Sequence, residues 1–187
     1  VTSHSKSTGS TALNGGDIEM TSGGNIVTGV VSAYSEGFTG SGNSGHIEIT
    51  ANGGSLTINN FVNNVSSHGM ANNVTLTANS FLKVMTSLNG KSIIANGASA
   101  NGTITITTGT SPFTVGDTTT NGTVGDIYQS ATNSLPASPA TTLPPYYPLT
   151  GININNITCQ NAITVTSTAD SGAGSLRDAI INLCPGG

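Results

Sequence analysis

The sequence predicts an all-β chain: a right-handed parallel β-helix with three strands per coil, about 29 residues per coil, and a short C-terminal capping helix. Three observations predict it. Apolar and polar residues alternate in four short segments, at 17–21, 46–50, 73–77 and 103–107, which is the period of a half-buried strand. The apolar residues Ile18, Ile47, Val74 and Ile104 follow one another at nearly equal intervals, and a near-constant interval of this size marks a repeat architecture. Gly, Asn, Ser and Thr fill just over half of the 187 residues; they form helices poorly and suit tight corners. An antiparallel sandwich also has short alternating strands, but it does not require so even a repeat.

Each coil is read in the same order. The first strand holds Ile18, Ile47, Val74 or Ile104. A second strand follows at a near-constant offset, at Ile26, Leu56, Leu82 and Phe113, across turns such as Ser22-Gly23-Gly24-Asn25 and Asn52-Gly53-Gly54. A third segment runs from Val30 to Tyr34, Phe61 to Val65, Ser92 to Ala95 and Gly125 to Tyr128. Parallel connections of this kind wind right-handed. Val1 to Gly16 leads into Ile18 just as Val30 to Gly45 leads into Ile47, and the two leads are equally long. The first residues therefore read as a third strand whose first two partners belong to more chain or to a neighbouring copy. Residues 1–128 are the coils.

From 129 to 150 the alternation stops, and five of the seven prolines fall in this stretch. Proline supplies no ladder donor, so the stretch reads as a surface loop or spacer. Residues 151–187 hold a return of the alternation at Ile152, Ile154 and Ile157, then a helix. Ser175-Leu176-Arg177-Asp178 fits a capping box. Leu176, Ala179, Ile180 and Leu183 fall on one helical face, and Pro185-Gly186-Gly187 ends it. Such a helix would cover an open coil end, where core side chains otherwise meet water.

Composition excludes several roles. Four basic residues and a net charge of −4 leave no cationic surface for nucleic acid. No apolar run reaches the length of a membrane span. With 6% charged residues, clustered catalytic acids and bases are scarce, and no cofactor motif is present. The Gly-rich run 40–45 lacks a following helix and a lysine, so it is a turn rather than a phosphate loop.

The repeats, with Gly15-Gly16-Asp17-Ile18, Ser22-Gly23-Gly24-Asn25-Ile26 and Ala51-Asn52-Gly53-Gly54-Ser55-Leu56, resemble filamentous-haemagglutinin-type repeats of large bacterial surface proteins. The segment from Thr164 to Ile180, with its Ser167-Thr168-Ala169-Asp170-Ser171-Gly172-Ala173-Gly174-Ser175-Leu176-Arg177-Asp178 core, resembles the opening segment of pectin-lyase-like β-helix proteins. There it precedes the β-helix and caps its first coil; here it lies at the C-terminal end. The resemblance implies an extracellular or cell-surface protein with a structural or adhesive role.

In such a setting Cys159 and Cys184 suggest a disulfide, which closes a loop worth roughly 3 kcal/mol; two buried free thiols are the alternative. Glu19 and Glu48 stack outward on adjacent coils, as solvated carboxylates or as a Ca²⁺ bridge. Asp17 lies beside His46 as an exposed ion pair. Five Asn-x-Ser/Thr sequons occur, no more than chance gives.

The expected function is a non-enzymatic structural subunit of an extracellular filament or surface fibre. Its partner is itself, joined head to tail between the Val1 end and the cap residues Leu176, Ala179, Ile180 and Leu183. A carbohydrate-binding or adhesin module, partnered by glycan or a cell surface, is the second expectation.

Overall fold

A computed structural model describes residues 1–7, 13–37, 42–85, 90–109, 114–115, 127–130, 133–135, 151–156, 165–169 and 175–176. Strands are numbered in chain order. The first sheet is parallel and holds β2 (Ile18–Ser22), β5 (Ile47–Ala51), β8 (Val74–Ala78), β11 (Ile104–Thr108) and β15 (Ile152–Asn156), stacked in that order. The second sheet holds β3 (Ile26–Thr28), β6 (Leu56–Ile58), β9 (Leu82–Val84) and β12 (Thr114–Val115). The third holds β1 (Thr2–Ser7), β4 (Val31–Gly37), β7 (Val62–Ser66), β10 (Ile93–Gly97) and β13 (Ile127–Ser130), and ends in the antiparallel β14 (Asn133–Leu135). The chain is a parallel β-solenoid.

The stacking of the repeated residues is as the alternation requires. Ile18 pairs with Ile47, Ile47 with Val74, and Val74 with Ile104. Ile26 lies on Leu56 and Leu56 on Leu82. Val31, Val62, Ile93 and Ile127 form the inner row of the third sheet. Period-2 geometry sends every second side chain inward, and a one-residue slip would turn each row to water. The inner rows make one core, in which Ile47, Ile49, Leu56, Leu76, Leu82, Ile93, Ile104 and Ile106 are fully buried.

The structure adds to and adjusts the sequence reading. The alternation at Ile152 is a fifth rung of the first sheet, seated on Ile104 although the Pro-rich stretch intervenes between the two. β1 does belong with the third strands, but Thr2 pairs with Ser32, so the strand is shifted by one position from an alignment of Val1 on Val30. The shift is taken up before Asp17, whose side chain meets His46 one regular coil on. Phe113, most of the Pro-rich stretch and, beyond Ser175 and Leu176, the expected capping helix lie outside the described residues.

Residues Val1–Asn156 form one compact unit and Ile157–Gly187 a second. Within the second, the Ala169 amide donates to Ser167 Oγ at 3.2 Å, a local turn. Among the described residues no helix is long and apolar enough to cross a membrane.

Truncating an inner rung leaves a cavity between two coils that cannot close up. Leu76→Ala is expected to destabilise the chain by about 2–5 kcal/mol in denaturant unfolding. Glu19→Gln, on the exposed outer face of the same sheet, should stay within about 0.5 kcal/mol.

Candidate functional site

Three groups of polar side chains stand out against the repeat. The first is internal. Ala33, Asn64, Ala95 and Gln129 occupy one inward row of the third sheet. Asn64 is fully buried, and its Nδ2 donates to Asn72 O at 2.8 Å. Two coils on, Gln129 Nε2 donates to Gly102 O at 2.6 Å and to Gly151 O at 3.2 Å. Asn72 and Gly102 hold the same corner position, one residue before the pair Asn73 and Thr103 that precedes the first strand. Asn64 thus ties its strand to the corner that follows it, while Gln129 bridges the corner one coil back and the corner that follows. Ser35 and Ser66 reach back one coil in the same way as Gln129, donating to Leu13 O at 2.7 Å and Gly42 O at 2.6 Å. These groups satisfy corner carbonyls, with Gly151 O accepting from both Gln129 and the Ile104 amide, so they hold the fold. Asn64 is also one of the five sequon asparagines, and its burial bars glycosylation in the folded chain.

Gly151 is fixed by this arrangement. Its φ is +83°, in the left-handed region, and a Cβ there would press on the Gln129 carboxamide. That carboxamide is held by its two hydrogen bonds and cannot swing aside freely.

The second group lies outside the first sheet. Glu19 and Glu48 pair on adjacent rungs and are both exposed. The expected Asp17–His46 ion pair is instead a backbone bond: the His46 amide donates to Asp17 Oδ1 at 2.7 Å. The His46 ring turns along its own strand, with Nε2 3.3 Å from Glu48 Oε2. A corner carboxylate accepts the amide one coil on because the ladder has not yet started there, while the ring is left to reach the outward residue two places ahead. Exposed contacts of this sort contribute little, about 0–1 kcal/mol. Among the described residues no three His, Cys, Asp or Glu side chains gather closely enough to hold a metal ion. His68 lies apart, Nδ1 3.0 Å from Ser67 Oγ.

The third group lines a groove on the outer face of the third sheet, with a volume of about 380 Å³. Its floor is Ile94 and Val65, and its sides include Tyr34, Tyr128, Lys91 and Glu36. Register builds it. Asn63, Ile94 and Tyr128 share one outward row, and Tyr34, Val65 and Asn96 share the next. The Lys91 ammonium sits 3.9 Å from the centroid of the Tyr128 ring, a cation–π contact. Asn96 Nδ2 donates to Gln129 O at 2.8 Å and to Asn101 Oδ1 at 3.1 Å. Asn63 Nδ2 donates to Ser32 Oγ at 3.2 Å, while its Oδ1 is buried without a hydrogen-bond partner.

Of the other residues singled out in the sequence, Val1 is exposed and its ammonium donates to Val30 O at 2.6 Å. Leu176 is 61% exposed. Ala179, Ile180, Leu183, Cys159 and Cys184 lie outside the described residues. The groove residues escape a sequence search by motif, since they come from four third-strand segments and share no common spacing. Aligning the third segments in register would have put Tyr128 level with Ile94 and Asn63. Comparison of the chain with family models, curated proteins and solved structures finds no match.

Gly151→Ala is expected to cost more than the roughly 1–2 kcal/mol of left-handed backbone alone. Combining it with Gln129→Ala removes the clash. A double-mutant cycle by denaturant unfolding should therefore give less than the sum of the two single losses.

Proposed function

We propose that this chain is a structural β-solenoid module of an extracellular filament or surface fibre, non-catalytic, which adds to further copies head to tail through its coil ends. The observation that supports this most is the open first rung. Among the described strands, β2 and β3 end their sheets on one side. Met20 and Ile26 are only half-buried, whereas their partners one coil on, Ile49 and Leu56, are fully buried. Val27 is 68% exposed.

Hydrogen-bond direction supports the same reading. In a parallel strand the N–H and C=O of successive residues point to alternate sides. The Ile18 amide donates to His46 O and the Ser22 carbonyl accepts from Asn52 N, both toward the second coil. Glu19 and Thr21 therefore present their backbone groups to the open side, as does Val27 between the inward-bonded Ile26 and Thr28. Such an edge is a template for another parallel strand. Among the described strands, β15 and β12 end the same two sheets on the opposite side. A contact joining the two ends is heterologous and propagates into a filament unless it closes a ring. The third sheet ends in the antiparallel β14, with a register irregularity between Tyr128 and Ser130, so pairing between copies runs through the first and second sheets.

Low charge fits this role, because a net charge of −4 over 187 residues sets up little repulsion between stacked copies. The Ser-, Thr- and Asn-rich outer rows keep the rod hydrated. The resemblance of the repeats to filamentous-haemagglutinin-type proteins agrees with an extracellular setting.

Negative-stain microscopy and sedimentation of the purified chain are expected to show filaments, or oligomers that grow with concentration. The variant Thr21→Pro/Val27→Pro deletes two donors that face only the open side, a change that edge strands tolerate. It should keep the circular dichroism of the parent and remain monomeric. A parent chain that stays monomeric at every concentration overturns the proposal.

A further inference from the structure

The groove on the third sheet carries a second inference, independent of assembly. We infer that it is a binding site for a neutral oligosaccharide lying along the solenoid axis.

The groove lies on a sheet face rather than an edge, so an occupant meets side chains and no unpaired backbone. That removes the main-chain pairing by which an extended peptide adds to a sheet. What remains is an apolar floor of Ile94 and Val65 flanked by two tyrosines. Tyrosine presents a flat apolar face and a polar tip, and the C–H face of a sugar ring with its hydroxyl rim has the complementary pattern. The chain has four tyrosines; Tyr146 and Tyr147 lie in the Pro-rich stretch, and the other two both come to this groove.

Its dimensions favour an oligomer. Tyr34 is on β4 and Tyr128 on β13, three strand spacings apart, or about 14 Å along the axis. That is too far for one sugar ring to bridge and suits a short chain of them.

Its charge sets the class. Lys91 and Glu36 give the lining one cation and one anion. The cation is already placed over the Tyr128 ring, so it is committed before an acidic sugar arrives. The rest of the polar side chains of the lining are amide and hydroxyl: Asn63, Asn96 and Ser67. The unpartnered Asn63 Oδ1 is an acceptor whose need a hydroxyl donor meets after a turn of the carboxamide toward the groove. Neutral hexose units bring many such donors.

Isothermal titration of the full chain with cellohexaose, laminarihexaose, mannohexaose and a galacturonate hexamer tests this. At least one neutral hexamer is expected to bind, at least tenfold more tightly than the galacturonate. Tyr34→Ala and Tyr128→Ala should each weaken binding tenfold or more, and the matching Phe variants should retain it. Amide chemical-shift mapping on the unaltered chain supplies a readout that needs no variant; perturbations should centre on Tyr34, Asn63, Ile94, Asn96 and Tyr128. The inference is overturned if none of the neutral hexamers binds at millimolar concentration. Tighter binding of the galacturonate, survival of binding in Tyr34→Ala/Tyr128→Ala, or perturbations elsewhere on the chain also overturn it.

Discussion

The described coils answer to one constraint: each strand residue lies directly on its counterpart in the next coil. In-register parallel stacking fixes the distance between equivalent side chains at a single strand spacing, about 4.8 Å. A row is therefore stable only if its members tolerate each other at that distance. Aliphatic rows meet this easily, as Ile18, Ile47, Val74, Ile104 and Ile152 do. A buried amide row does not, since every carboxamide needs its own partners. The row Ala33, Asn64, Ala95, Gln129 solves this by alternation. Each large polar side chain has a methyl group for its neighbour, and so has room to bend toward its corner carbonyl.

The corners absorb what the strands cannot. Successive coils in the first sheet differ slightly in length even before the long excursion to β15, yet no strand slips. Corner side chains hold the gaps by accepting the amide one coil farther on: Asn14 from Asn43, Asn25 from Ser55, Asn43 from Met70 and Asn73 from Thr103. Short carboxamides do this well because their oxygen reaches one strand spacing from a backbone that is itself turning. Close approach sets a second demand. A Cβ at Gly45 would run into the Gly16 carbonyl, so the corner packs backbone on backbone. The high Asn and Gly content is thus a consequence of stacking rather than a sign of a flexible chain.

This explains which parts were legible in the sequence. The first sheet could be read residue by residue because inner aliphatics and outer Thr or Glu alternate without interruption. The second sheet was legible through its near-constant offset from the first. The third was harder. Its inner row mixes Val, Ala, Asn, Ser, Ile and Gln, so hydropathy alone does not separate its two faces, and Asn64 and Gln129 look like surface residues until their corner partners are known. The one-position shift at β1 has the same origin, because a segment with few apolar residues gives no anchor for its register. The groove was illegible for a different reason. It is assembled from four coils, and its aromatic and charged members recur at no fixed interval.

In a solenoid the inward rows are under the stacking constraint and the outward rows largely are not. Departures from the repeat on an outward row therefore cost the ladder little. On the first sheet the outward residues remain close to the repeat, with Thr21, Thr50, Thr77 and Thr107 in line, and that face reads as a hydrated wall. On the third sheet Ser32, Asn63, Ile94 and Tyr128 fill one outward row, with Tyr34, Val65 and Asn96 beside it. No two neighbours in either row match, and the ladder gains nothing from a tyrosine at either end or from a lysine over one ring. Stacking is carried by the inward rows, so the outward face of the third sheet can differ in chemistry from rung to rung, and that difference is what builds the groove.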